Sequence, residues 1–504
     1  MRRDGRRGGG RPLTAVPALS RRRVGADLTW AAAVVAVAVT GGWLATTTGE
    51  LALAAVLGAF AVAMTARWPA QALATLIVFL PFQVTLLAFA YRVGAPAPFV
   101  RAASGVKEAI LAGLLLLAID TASRRRPRLD ALDLLAIAFA VIATAYLILP
   151  SVAPSLLPTA PRDFGVRLLG WRLYIGIPIA LFAARHIFLS NEVRRRLGRL
   201  VVRVAVVIAA IAVFEFLFSD AWNTIAVDAL GVPAYKREVL GVFSVHPSDV
   251  RFYGLALDRS VVRVGSILFS PLTLGFYLLL GLGVTLRRVA GADRARSIGS
   301  AALVGAALVF TLTRSAALGA VAMTMVTFRN LPARTAPKAR FGVLLACALV
   351  LLVPVSAQSG LADRTRSLAA DDPSRQAHEQ GLIDGVRTLV AAPLGLGLGT
   401  GAVVGARFGS QQVGSENSYL QVGNELGILG MLVFIALLVA VVRRLRRARA
   451  PDGDATLTLG VRTAFVGLAL AGFFLHVWND AALAWTLWAL AGLALSKFPA
   501  PDPS

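Results

Sequence analysis

Apolar runs of Leu, Ala, Val and Gly, most of them fifteen to twenty-five residues long, alternate with short polar connectors along nearly the whole chain. They fall at about 28–46, 51–66, 70–90, 103–119, 131–149, 171–189, 200–218, 264–286, 298–312, 316–328, 341–356, 418–442, 458–475 and 481–496. A run of about twenty apolar residues is what a helix needs to cross a bilayer. Backbone groups cannot stay unpaired in lipid, so the runs are read as helices. A β-barrel would show alternating segments of about ten residues, and the sequence has none. The expected fold is therefore an all-α polytopic integral membrane protein of about fourteen transmembrane helices, with twelve to fourteen as the range.

Composition points the same way. Of 504 residues, 57% are hydrophobic and 15% charged, against roughly 25% charged in soluble domains. The net charge of +24 would suit a nucleic-acid binder, but its placement argues otherwise. Arginine clusters at Arg124–Arg128, Arg194–Arg203, Arg287–Arg296, Arg329–Arg340 and Arg443–Arg449 each follow an even-numbered segment. The Lys/Arg bias between the two sides is about two to one, which sets both termini in the cytoplasm. Nucleic acid is not an expected partner; membrane lipid is. Residues 1–27, with eight arginines, are read as a disordered basic tail, 28–497 as one transmembrane domain and 498–504 as a second cytoplasmic tail. The one cysteine, Cys347, allows no intramolecular disulfide.

Two external connections are long, about 219–263 and 357–417. The second precedes the third-last helix and ends in a Gly-rich run, Gly395–Gly401. Four features at this outer edge could carry chemistry. Glu416 and Asn417 open a helix, either as caps or as an anion site. The pair Gly427 and Gly430 reads by itself as close helix packing. Arg314 and Arg263 stand at membrane edges, either snorkelling or holding an anion. The histidines His246, His378 and His476 read as exposed loop residues, His378 being the better base candidate because Arg375, Arg387 and the Gly-rich run share its loop. No zinc-ligand spacing occurs, and no metal or cofactor is expected.

Read together, these motifs resemble the O-antigen ligase and O-antigen polymerase superfamily. Its pattern of His-Asn, nine residues, Gly, two residues, Gly is matched by Asn417, Ser418–Leu426, Gly427 and Gly430, with Glu416 at the histidine position. Arg263 to Pro271 resembles the family's Arg…Gly-Thr-Phe…Pro-Asn segment, with Leu272 for Asn. Thr311 to Ser315 resembles its Thr-x-Ser-Arg-Gly turn. Arg387 with Pro393, Gly395 and Gly397 resembles its Arg…Pro-x-Gly-x-Gly loop, and Lys107–Glu108 an early Lys-acidic pair. The resemblance covers about 260–440.

It implies a C-type glycosyltransferase architecture and an enzyme of the plasma membrane with its active site outside. The donor would be an undecaprenyl-pyrophosphate-linked glycan, the acceptor a hydroxyl on a glycan, lipid or protein. Arg263 and Arg314, helped by Arg387 or Arg375 and with Asn417 nearby, would bind the pyrophosphate without a metal. Glu416 or His378 would take the proton. Polymerase is favoured slightly over ligase. The rival reading is a transporter or flippase of lipid-linked sugars, which would carry cations inside its helices rather than at their outer ends.

Overall fold

The computed structural model describes residues 50–242, 245–253, 262–288, 294–329, 373–401, 404–405, 408, 414–448 and 456–500. The expected spans at 28–46 and 341–356, Cys347 and the N-terminal tail lie outside these residues.

The described chain is a bundle of helices. In order they are α1 (Glu50–Arg67), α2 (Pro69–Arg92), α3 (Ala97–Ser104), α4 (Val106–Arg125), α5 (Ala131–Val152), α6 (Phe164–His186), α7 (Asn191–Leu217), α8 (Ser219–Thr224), α9 (Pro271–Arg288), α10 (Arg294–Phe310), α11 (Arg314–Arg329), α12 (Pro373–Ala391), α13 (Ser418–Arg447), α14 (Thr456–Ala471) and α15 (Ala481–Ala494). Six stretches are long and apolar enough to cross a membrane: α2, the α3–α4 pair, α5, α6, α7 and α13. Shorter apolar helices lie within α1, α9, α10, α14 and α15. The chain is thus an all-α, multi-pass membrane protein.

Its outside confirms the solvent. Val141, Val152, Leu116 and Leu429 are each more than half exposed on these helices, as lipid-facing side chains are. The centre is α15, buried on every side from Ala482 to Leu493. It fits because α6 presents Gly176 to Trp485, and because Gly492 lies against the α6 backbone at Leu181. Small residues at crossings let helices approach where lipid gives no hydrophobic drive.

Basic residues close the last turns of α1, α4, α6, α11 and α13, and successive helices alternate in direction, so these ends share one side of the bundle. An ionic clamp sits there. Asp130 caps α5 and Asp133 bonds back to it as a capping box. Both carboxylates take the Arg185 guanidinium from the end of α6. Lys497 Nζ reaches Asp133 at 2.6 Å and Arg444 of α13 reaches Asp130 at 3.2 Å. The clamp ties three helix ends to the C-terminal segment, whose residues Pro499–Ala500 pair in parallel with Leu189–Ser190.

Two expectations change at the opposite end. Of the stretch expected as a loop over 357–417, residues Pro373–Ala391 form α12. Its sequence is too polar for an apolar count to find, yet Gly381, Gly385 and Leu389 recur along one face and pack on 414–423. The connection at 219–263 likewise begins with short helical turns, Ser219–Ala229 and Val232–Val239.

Candidate functional site

The opposite end of the bundle collects the residues the sequence singles out. Arg263 closes a short antiparallel ladder in which it stands opposite Phe252. Its Nε donates to the Thr311 carbonyl at 3.2 Å and an Nη to Thr313 Oγ1 at 3.4 Å. Thr311 to Arg314 is the tight turn between α10 and α11, with Leu312 at φ 51°. The turn that carries Arg314 therefore holds Arg263 as well. Arg263 is half-buried, and burial together with the adjacent Arg314 charge lowers its pKa from the ordinary value. Two guanidinium groups side by side repel, and an anion between them would relieve both.

What aims Arg263 is a residue the sequence reading passed over. The segment after it, Gly265–Ser266, points its backbone N–H groups at the Glu215 carboxylate, at 3.1 Å and 2.5 Å. Glu215 lies on α7 and is 2% exposed. The signal was available: a lone acid in the apolar run Val213–Leu217 is costly unless used.

Glu416 and His378 meet. Nδ1 of His378 contacts the Glu416 carboxylate, joining α12 to the residue that precedes the α13 cap. The Gly381 and Gly385 positions allow this, because a Cβ at Gly381 would lie 2.9 Å from the Gly414 carbonyl. His378 is thus a helix residue, not a loop residue. Asn417 is the N-cap of α13: its Oδ1 accepts from Tyr419 N at 2.8 Å and Leu420 N at 3.0 Å, and its Nδ2 donates to the Phe473 carbonyl. Ser418 bonds Gly472, Leu475 and Val477. The α14–α15 turn is therefore sewn to the start of α13.

That stitching brings the two halves to one level. Helices α11 and α14 run antiparallel in contact at Gly319 and Gly467; five residues above that crossing stand Arg314 on one and Gly472 on the other. Arg387 lies further along α12, exposed, 3.7 Å from Asp384, and Arg375 sits in its first turn. Lys107 and Glu108 are 3.6 Å apart, and Arg172 of α6 is 3.2 Å from Glu108. Asp480 caps α15; burial pushes its carboxyl up, against the pull of its backbone bonds and Lys107. His476 in the α14–α15 turn is partly buried rather than exposed, and burial lowers its pKa to about 4. It is neutral at neutral pH.

The Gly427 position is not helix packing. Its φ of 71° and ψ of 175° break α13, a region of backbone space essentially open to glycine alone. The break seats the Gly-rich loop: Ile428 N donates to the Pro393 carbonyl at 2.9 Å and Leu396 N to the Asn424 carbonyl at 2.6 Å. Any Cβ at Gly427 would lie 2.9 Å from Leu394 backbone atoms. Gly427→Ala is expected to cost about 2–3 kcal/mol, read as a lowered unfolding midpoint in detergent, with the loop displaced and activity lost.

Residues 299–435 match the family model described as O-antigen ligase. Over that stretch the chain is similar to the O-antigen ligase superfamily. The matched stretch spans α10 to the middle of α13, and so includes Arg314, His378, Glu416 and Gly427 but not Arg263. A comparison with curated proteins finds no match. The function class that goes with an O-antigen ligase domain on a multi-pass chain is a membrane glycan ligase or polymerase.

Proposed function

We propose that this protein transfers a glycan from a polyprenyl-pyrophosphate carrier to an acceptor hydroxyl at the external membrane face. The observation that carries this reading is the meeting of His378 with Glu416 at the end of the bundle where Arg263 and Arg314 share one turn. Base and anion contact are the two things the reaction needs. The acceptor oxygen attacks the anomeric carbon, the bond from that carbon to the pyrophosphate oxygen breaks, and the acceptor proton passes to Glu416. The lipid pyrophosphate leaves with the bonding pair. Arg263 and Arg314 offset its charge, since guanidinium groups bind phosphate oxygens in bidentate fashion. Attack opposite the leaving group inverts the anomeric centre. Arg387, Arg375 and Asn417 are the further candidates for contact with donor or acceptor, Asn417 chiefly by holding the α13 start.

Glu416 has the role of the family's histidine, and His378 orients its carboxylate. A general base contributes about 10²–10⁴-fold. Glu416→Gln is therefore expected to lose at least about 100-fold in turnover with reconstituted lipid-linked donor, and His378→Ala about tenfold. If neither variant loses turnover, the proton acceptor is elsewhere. The product separates the two acceptor classes: lengthening lipid-linked chains mark a polymerase, glycan on a different acceptor a ligase.

A further inference from the structure

One buried acid in this region has no part in the reaction as written. Glu425 is 2% exposed, two residues before the break at Gly427. Its Oε1 accepts the Gly401 backbone N–H at 2.7 Å, and the Gly399 N–H also reaches the carboxylate. The Tyr174 hydroxyl of α6 also interacts with the carboxyl group, but Gly399 and Gly401 both belong to the far end of the Gly-rich loop that leaves α12 at Ala391. The near end is held to α13 by backbone bonds, through Pro393 to Ile428 and Leu396 to Asn424, and Thr159 Oγ1 donates to the Leu396 carbonyl at 3.4 Å. Tyr146 of α5 adds a bond from its hydroxyl to the Leu394 carbonyl. The loop also packs into α6, where Gly170 lies 2.6 Å, measured from an ideal Cβ, from Gly399 N. The one charged side chain that closes the loop onto α13 is thus Glu425, among the described residues.

We propose that Glu425 is a positioning residue: it clamps the 393–401 loop to α13 and so fixes the register of α12, which carries His378, against Glu416. The proposal rests on the base-pair reading above for its functional meaning, but the clamp itself is geometric. The loop is continuous with α12, so the α12 C-terminus moves only as far as the loop allows. Further along α12, Gly381 and Gly385 pack closely on the 414–420 segment. A carboxyl side chain is suited to the task because its oxygen accepts a backbone N–H and the side chain is long enough to reach the loop from α13.

The test uses the full-length protein in membranes, with Cys347→Ser, His378→Cys and Glu416→Cys, and reads the rate of disulfide formation under mild oxidant. With Glu425 present the pair cross-links readily. Glu425→Ala is expected to slow cross-linking about tenfold, and Glu425→Gln to keep it within about twofold, since the amide oxygen still accepts the Gly401 N–H. Glu425→Asp withdraws the carboxylate from Gly401 and is expected to fall between them; it serves if the Ala variant does not accumulate. Parental cross-linking in both Ala and Asp variants would overturn the proposal. In the chain with His378 and Glu416 intact, Glu425→Ala should also shift the pH–rate profile, which general destabilisation does not, and Glu425→Gln should restore it. Slowed cross-linking in the cysteine chain, with no glycan transfer by the chain that keeps His378, Glu416 and Glu425, would support the clamp and sink the proposed function. Transfer that ignores Glu425 together with parental cross-linking would do the reverse.

Discussion

Replacing Arg314 with Ala is expected to reduce glycan transfer by about 10²–10³-fold, the loss seen when one donor to a developing anion is removed. The leaving pyrophosphate gains charge as the glycosidic bond breaks, and Arg314 stands at the one turn that also holds Arg263. Lys is expected to rescue poorly, because a point charge cannot form two parallel bonds to phosphate oxygens. Arg263→Ala should behave similarly, and the double variant little worse than either single one, because groups acting as a unit lose their effect together. The measurement is turnover of lipid-linked donor in reconstituted membranes, with protein amount checked. Parental turnover in an Arg314→Ala variant that accumulates normally would sink the assignment.

The second large effect is on stability and arises at the other end of the bundle. Asp133 is 1% exposed and faces Arg185, itself 4% exposed, and Lys497. Asp133→Ala leaves Arg185 and Lys497 with Asp130 alone to balance them and removes the bond from Asp130 N to Asp133 that completes the α5 capping box. Breaking one side of a buried pair costs about 3–5 kcal/mol, so a clear fall in the detergent melting temperature is expected. A variant that melts with the parent would show that the clamp contributes nothing. The pH dependence has a definite sign. The Arg185 guanidinium holds the Asp130 carboxyl well below the usual carboxylate range. A depressed native pKa gives stability that is complete above the unfolded value, 3.8 here, and is lost as pH falls through the native value. This group therefore adds no pH dependence between about pH 7 and 5, and its loss belongs to strongly acid solution.

The family pattern was legible because it is local: a cap, nine residues and two glycines along one helix. Its meaning was not. Gly427 and Gly430 looked like a packing pair, yet Gly427 is where α13 breaks to seat a loop more than thirty residues earlier, a role set by Leu394 and Pro393 backbone that periodicity does not register. The helix α12 is too polar for total hydropathy to mark it. Glu215 is visible as a lone acid in an apolar run and Glu425 as part of the polar start of α13, but the N–H groups they serve lie fifty and twenty-four residues away.

The sequence by itself determined that this is a multi-pass helical membrane protein, because segment length and apolarity answer directly to the bilayer. It also carries the resemblance to the O-antigen ligase superfamily over residues 299–435, because that motif is a short contiguous pattern. Only the tertiary structure decided that His378 meets Glu416, that Arg263 and Arg314 share a turn, and which acids hold backbone rather than substrate. The physical reason is that each of these depends on which helix ends come to the same level, and that is set by small-residue crossings such as Gly319 with Gly467 and by hydrogen bonds between remote turns.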